Sequence, residues 1–276
     1  MASRLRGDRS RYYLLTVLVV VMALGVGAAA PAFAAQGEES EQPGEQIVGG
    51  TVVPDGKYPF MAALLGVSQG DMPLRQQFCG GALIDRSHVL SAAHCMVVSV
   101  GSLRVLVGRT VLNMEQGQVR RVSRIFVHPR YDGSMSSAFD AAVLELASPV
   151  QDIQPVKLPA TGSNKQERPG TKVTIAGWGR TYEGKATPLR NRMREASLPL
   201  VSDAKCEARY DTLADPRLRV FPLIMLCASK TNVDSCQGDS GGPLFREMRG
   251  GGFRRLGIVS FGFGCARPAL LRAESG

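Results

Sequence analysis

From Ile47 onward, short apolar stretches alternate with turn residues. "FMAALLGV" (60–67), "GALIDRSHVLSAAHC" (81–95), "LRVLVG" (103–108), "VRRVSRIFVHP" (119–129), "DAAVLEL" (140–146), "TKVTIAGWG" (171–179) and "LGIVSFGFG" (256–264) each hold a strand-length run. Gly, Pro, Asn or Asp lies between most of them. This spacing predicts an all-β barrel or sandwich. Helical periodicity is weak except over "SDAKCEARY" (202–210), where Ser202 is a predicted N-cap. "TGSNKQERPG" (161–170) is the predicted connector between two halves, and no fixed-period repeat or low-complexity tract is present.

The first 46 residues follow a different pattern. Arg4, Arg6, Arg9 and Arg11 form a basic head, an apolar run extends from Tyr12 to about Ala30, and "APAFAAQ" follows. Ala32-Phe33-Ala34 fits the small-x-small cleavage pattern, so residues 1–34 are an expected signal peptide. An uncleaved anchor is the alternative, since the run is nearly long enough to cross a bilayer. Pro31 and the alanine-rich end favour cleavage. Residues 35–46, "AQGEESEQPGEQ", have no aliphatic side chain larger than alanine and read as a solvated propeptide. The remaining body, 47–276, fits one domain or two smaller lobes.

The formal charge is +9, and with the basic head and acidic propeptide removed the body carries +10. The cations are scattered, with no basic run interleaved with aromatics, so nucleic acid is not an expected partner. The six cysteines all lie beyond residue 78, and in an exported chain an even count predicts disulfides. Spacing alone leaves 15 pairings open. There is no CxxC and the nearest two cysteines are nine residues apart, so no metal site is expected, and no cofactor either.

"VDSCQGDSGG" (233–242) concentrates the candidate chemistry. Gly238, Ser240 and Gly242 satisfy G-x-S-x-G, but that hydrolase fold needs a histidine after the serine. His88, His94 and His128 are all upstream. A serine nucleophile needs a base, and the base needs a group to hold its tautomer. The order His94, Asp140, Ser240 is available. Asp132 and Asp152 compete with Asp140, which immediately precedes the apolar "AAVLEL". "IVGG" (47–50), "SAAHC" (91–95), "DAAVLEL" (140–146), "AGWG" (176–179), "DSCQGDSGGP" (234–243) and "SFGFGCA" (260–266) follow in order. In these motifs, from Ile47 to about Pro268, the chain resembles the trypsin/chymotrypsin family of serine proteases, including secreted bacterial trypsin-like enzymes.

The resemblance implies two six-stranded antiparallel Greek-key β-barrels with the active site between them. It implies Ser240 as nucleophile, His94 as base and then acid, and Asp140 as the group orienting His94; this arrangement is a standard worked example of nucleophilic catalysis. Backbone N–H groups of Gly238 and Ser240 would form the oxyanion hole, and glycine at 238 lets backbone approach substrate. Asp234 would be the floor of the specificity pocket, with Ser235, Ser260 and Gly262 also contacting substrate. An anion there implies polypeptide substrates with Arg or Lys at the cleaved position. Asp239 would pair with the α-amine of Ile47 released by activation cleavage, making the protein a zymogen. Gln46 precedes that bond, so another enzyme is expected to make the cut. The implied disulfides are Cys79–Cys95, Cys206–Cys227 and Cys236–Cys265. The first closes a loop worth about 3 kcal/mol in the chain-entropy description.

His88 and His128 are expected at surface or structural positions, and Trp178 beside a turn. Protein protease inhibitors are expected partners, and the chain is expected to be a secreted monomer. After "GCARP" the sequence departs from the family and runs "ALLRAESG". The second barrel is therefore expected to lack its terminal strand and helix. That departure sets up the alternative function: a weak or inactive homologue serving as a binding module.

Overall fold

The computed structural model describes residues 50–133, 138–160, 162, 167–181, 188–213, 219–231 and 233–262, and the backbone of 271–275. These residues belong to one compact unit, Gln42–Gly276. The expected signal peptide and propeptide, Ile47 and Cys265 lie outside the described residues.

Six strands close the first barrel. They are β2 (Met61–Gly66), β3 (Gln77–Asp85), β4 (His88–Ser91), β5 (Leu103–Val107), β6 (Gln118–Val127) and β7 (Ala142–Leu146), paired in the order β2-β3-β4-β7-β6-β5. All pairings are antiparallel. Side chains alternate between faces along a strand. β7 follows that rule: Ala142, Leu144 and Leu146 are buried, while Val143 and Glu145 are half-buried between them. β2 is apolar throughout and buried throughout.

A second sheet holds β8 (Lys172–Gly177), β9 (Arg194–Val201), β10 (Met225–Ala228), β11 (Pro243–Glu247), β12 (Phe253–Phe261) and β13 (Leu271–Ser275). The order is β9-β10-β13-β12-β11-β8, and β9 also pairs with β8, so these six strands run in a ring. A two-residue strand, β1 (Thr51–Val52), adds to β9. The predicted all-β, two-barrel architecture is therefore the fold of the chain. Between the barrels in sequence lies the predicted connector, of which 161 and 163–166 are outside the described residues.

The expectation that the second barrel lacks its terminal strand is corrected. β13 sits between β10 and β12, paired antiparallel to both. "LRAES" is five residues long and holds no β-branched or aromatic side chain, only Leu271 and Ala273 beside charged residues, which is why the pattern did not reveal it. Ladder hydrogen bonds come from the backbone, so an extended segment of almost any composition can fill such a slot. Among the described residues no helix follows β13.

Among the described residues there are two α-helices, α1 (Pro73–Gln76) and α2 (Asp203–Asp211). α2 matches the predicted helix, and Ser202 caps it by accepting from the Lys205 N–H at 3.3 Å. The expected Cys79–Cys95 and Cys206–Cys227 disulfides are both formed. Cys236 is disulfide-bonded as well.

An aromatic cluster joins the two halves. Phe245 of β11 meets Tyr58 and Phe60 edge-on, with ring centroids 4.9 and 5.2 Å apart. Phe253 of β12 adds another edge contact to Tyr58 at 5.1 Å. Such pairs contribute about 0.5–1.5 kcal/mol each beyond the area they bury. Phe245→Ala, made with Ser240→Ala to prevent self-digestion, is expected to lower unfolding free energy by about 3–5 kcal/mol in denaturant titration.

Candidate active site

β4 ends at Ser91, and one 3-10 turn, Ala93–Cys95, follows it. That turn carries His94, and the Cys79–Cys95 disulfide ties it to β3. Asp140 stands just before β7, which lies beside β4, so adjacent strands deliver the two side chains to one place. Asp140 Oδ1 accepts from the His94 backbone N–H at 2.8 Å. Asp140 Oδ2 faces His94 Nδ1 at 2.7 Å and also accepts from the Ser260 hydroxyl. Burial pushes the Asp140 carboxyl upward, yet the hydrogen bonds and charge of His94, with the Ser260 hydroxyl, together bring it below its ordinary value.

The backbone before Asp140 is strained. Phe139 has φ 66°, a region that disfavours bulky residues. The His128 ring stacks on Phe139 at 4.8 Å, and the Arg130 guanidinium lies 3.8 Å from the centre of that ring. His128 is therefore structural, as expected. His88 is too: its ring is bonded to Asp85 on the surface. Asp152, a competitor for the orienting role, makes no contact with His94.

Ser240 is half-buried. Its carbonyl accepts from the Gly80 N–H of β3 at 2.7 Å. Cys95 Sγ lies 3.7 Å from both the Ser240 carbonyl oxygen and His94 Nε2, so serine and imidazole gather around one sulfur. No hydrogen bond joins Ser240 Oγ to His94 Nε2 in this structure. Apo sites often show this, and such contacts tighten when substrate binds. Among the described residues neither the Gly238 nor the Ser240 N–H donates to any protein acceptor. Gly238 has φ +102°, and a Cβ there would lie 2.7 Å from Leu189 Cδ2 and 3.1 Å from Gly179 Cα. Glycine is required here by the left-handed backbone and by crowding from Leu189 and Gly179.

Asp239 is 3% exposed. Its Oδ1 accepts from the Gly179 N–H at 2.8 Å and its Oδ2 from the Cys236 N–H at 3.0 Å. Among the described residues no cation reaches it. Burial therefore pushes this carboxyl up to about 6, against the pull of the two backbone donors. Trp178, next in sequence to Gly179, is buried, with Nε1–H donating to the Thr110 carbonyl at 3.0 Å.

Asp234 is 3% exposed and accepts from the Ser235 N–H at 2.8 Å. Ser235 and Ser260 are buried and Gly262 is exposed. The Ser260 hydroxyl is engaged by Asp140, a contact that the sequence reading did not anticipate. Nothing in local sequence signals it, because 120 residues separate the partners.

The Trypsin family matches residues 47–272. The chain belongs to the trypsin family. It is 37% identical over 225 residues to a trypsin of Saccharopolyspora erythraea, covering 80% of this chain and 89% of the relative. It is 35% identical over 253 residues to a trypsin-like protease of Streptomyces glaucescens, covering 90% and 83%. It is 36% identical over 235 residues to the clotting factor G beta subunit of Tachypleus tridentatus, covering 81% and 73%. The protein is accordingly a serine endopeptidase of the hydrolase class, and proteases of this family act on polypeptides.

Two outcomes test the Asp239 environment of this trypsin-family chain. A Cβ at Gly177 would lie 2.2 Å from Asp239 Oδ1. Gly177→Ala is expected to lower thermal stability, by about 1–3 kcal/mol, through overpacking. The second outcome concerns pH. The folded chain holds the Asp239 proton more tightly than the unfolded chain, so this group's contribution to stability is full below 3.8 and is lost as pH rises through about 6. Asp140 has the opposite sign, and its contribution is lost as pH falls through its lowered value. In a Ser240→Ala background, Asp239→Asn should remove a fall of about 3 kcal/mol between roughly pH 4 and pH 7, read from denaturant midpoints.

Proposed function

We propose that this protein is a secreted endopeptidase that cleaves after Arg and Lys and is made as a zymogen activated by a cut before Ile47. The observation that carries the reading is the buried Asp140 holding the backbone N–H and the ring Nδ1 of His94, with Ser240 alongside and the N–H groups of Gly238 and Ser240 unpaired among the described residues.

In this reading Ser240 Oγ attacks the scissile carbonyl while His94 Nε2 accepts its proton. Asp140 holds the Nδ1–H tautomer and stabilises the imidazolium that forms. The Gly238 and Ser240 N–H groups donate to the developing oxyanion. One such donor is worth about 10²–10³ in rate. His94 then protonates the leaving amine, and water repeats the sequence on the acyl-enzyme. Asp234 receives the cationic substrate side chain, with Ser235, Ser260 and Gly262 beside it. In the precursor Asp239 is buried without a cation among the described residues; the new α-amine of Ile47 supplies one. Residues 1–34 direct export, residues 35–46 are removed, and Gln46 at the cut assigns activation to a different protease. Disulfides accord with an extracellular location.

The missing Ser240–His94 hydrogen bond favours one other reading, a catalytically weak homologue that binds polypeptides. N-terminal sequencing of the secreted product is expected to give Ile47. The processed protein is expected to hydrolyse arginyl and lysyl esters, with Ser240→Ala lowering kcat by about 10⁴–10⁶-fold. Asp234→Asn should lower kcat/KM for arginyl substrates by about 10²–10⁴-fold, the equivalent of an unmatched buried charge. Correct processing without Ser240-dependent turnover would favour the binding reading.

A further inference from the structure

The segment from Gln237 to Ser240 is held from behind by four successive carbonyls. The Gln237 carbonyl accepts from the Arg180 N–H at 2.9 Å, the Asp239 carbonyl from the Gly242 N–H at 3.0 Å and the Ser240 carbonyl from the Gly80 N–H at 2.7 Å. The Gly238 carbonyl accepts from Gln77 Nε2 at 2.8 Å. In a planar trans peptide the C=O and N–H point in opposite directions. Pulling the Gln237 and Asp239 carbonyls back therefore turns the Gly238 and Ser240 N–H groups outward, where they donate to nothing in the described chain. Three of the four pins are backbone. Gln77 alone is a side chain, and it holds the residue with the most conformational freedom.

Gln77 opens β3 and is 1% exposed. Its Nε2 also donates to the Cys79 carbonyl, at 3.1 Å. Both neighbours are acceptors, so the amide must turn its NH₂ toward them. Oε1 then has no hydrogen-bond partner. An unpaired buried acceptor is destabilising. Methionine would fill a similar volume without that penalty, so glutamine here is justified by what its donor holds.

We propose that Gln77 is a positioning residue for the oxyanion hole: by fixing the Gly238 carbonyl it holds the Gly238–Asp239 peptide, whose N–H donates to the Cys236 carbonyl, and so anchors the Gly238 Cα from which the Gly238 N–H is presented to the developing oxyanion. This rests on the reading of Gly238 and Ser240 as oxyanion donors. Gln77 touches no substrate and acts through Gly238.

The test compares processed wild-type protein with Gln77→Met and Gln77→Leu, both apolar, of similar size and lacking the donor. With an arginyl peptide substrate, kcat is expected to fall about 10–100-fold, less than the loss of an oxyanion donor outright, with KM within about twofold. A peptide aldehyde, whose tetrahedral adduct places an oxygen in the hole, should bind weaker by a similar factor. Benzamidine, which presents only a cationic head to the Asp234 pocket, should bind unchanged, and its binding also reports that the variants fold. Unchanged kcat and aldehyde affinity would overturn the inference. So would a parallel loss of benzamidine binding, which marks general disruption. Wild-type protein without Ser240-dependent turnover overturns the functional reading, and the inference with it.

Discussion

One buried carboxylate joins the parts of this molecule that matter for its chemistry. Asp140 comes from the first barrel and so does His94, while Ser260, which donates to the same oxygen as the imidazole, comes from β12 of the second. An ionised carboxyl at this depth persists only if its lone pairs are matched. Here three donors match them, and the carboxyl stays below its ordinary value despite burial. The requirement runs outward from there. It fixes the turn after β4, the strained Phe139 before β7 and the closeness of the two barrels along the aromatic seam of Tyr58, Phe60 and Phe245.

The second constraint is glycine. Around Asp239 the chain leaves no room for side chains: at Gly177 and Gly179 a Cβ would collide with the carboxyl itself. At Gly241 it would lie 2.2 Å from Ser91 Oγ, and at Gly80 it would press on Gly242. Backbone from β3 is thereby brought against the 237–242 segment, close enough for Gly80 and Gln77 to hold its carbonyls. The glycines are what permit that close approach.

Much of this was legible beforehand, and the reasons differ by residue. Strands with apolar runs, such as those holding Met61–Gly66 and Ala142–Leu146, announced themselves because burial forces the pattern. β9, β10 and β11 were harder. β9 opens on the charged pair Arg194-Glu195 and contains Pro199, β10 has four residues, and β11 begins with proline and ends in "RE". β13 was invisible because its place is set by open backbone donors and acceptors on β10 and β12. At the site, motif order pointed to His94, Asp140 and Ser240, and the fold brings these three residues near one another. Ser260 as a ligand of Asp140 and Gln77 as a ligand of Gly238 were not legible, since those contacts span 120 and 161 residues.

The sequence by itself determined the fold class, the family and the candidate chemical side chains, because apolar period and residue type are local properties carried by the chain. Tertiary structure alone decided which donors face which acceptors: that Asp140 takes three hydrogen bonds, that Asp239 is sealed between two glycines, and that β13 closes the second ring. Hydrogen bonds depend on distance and direction between groups far apart in the chain, and only folding sets those.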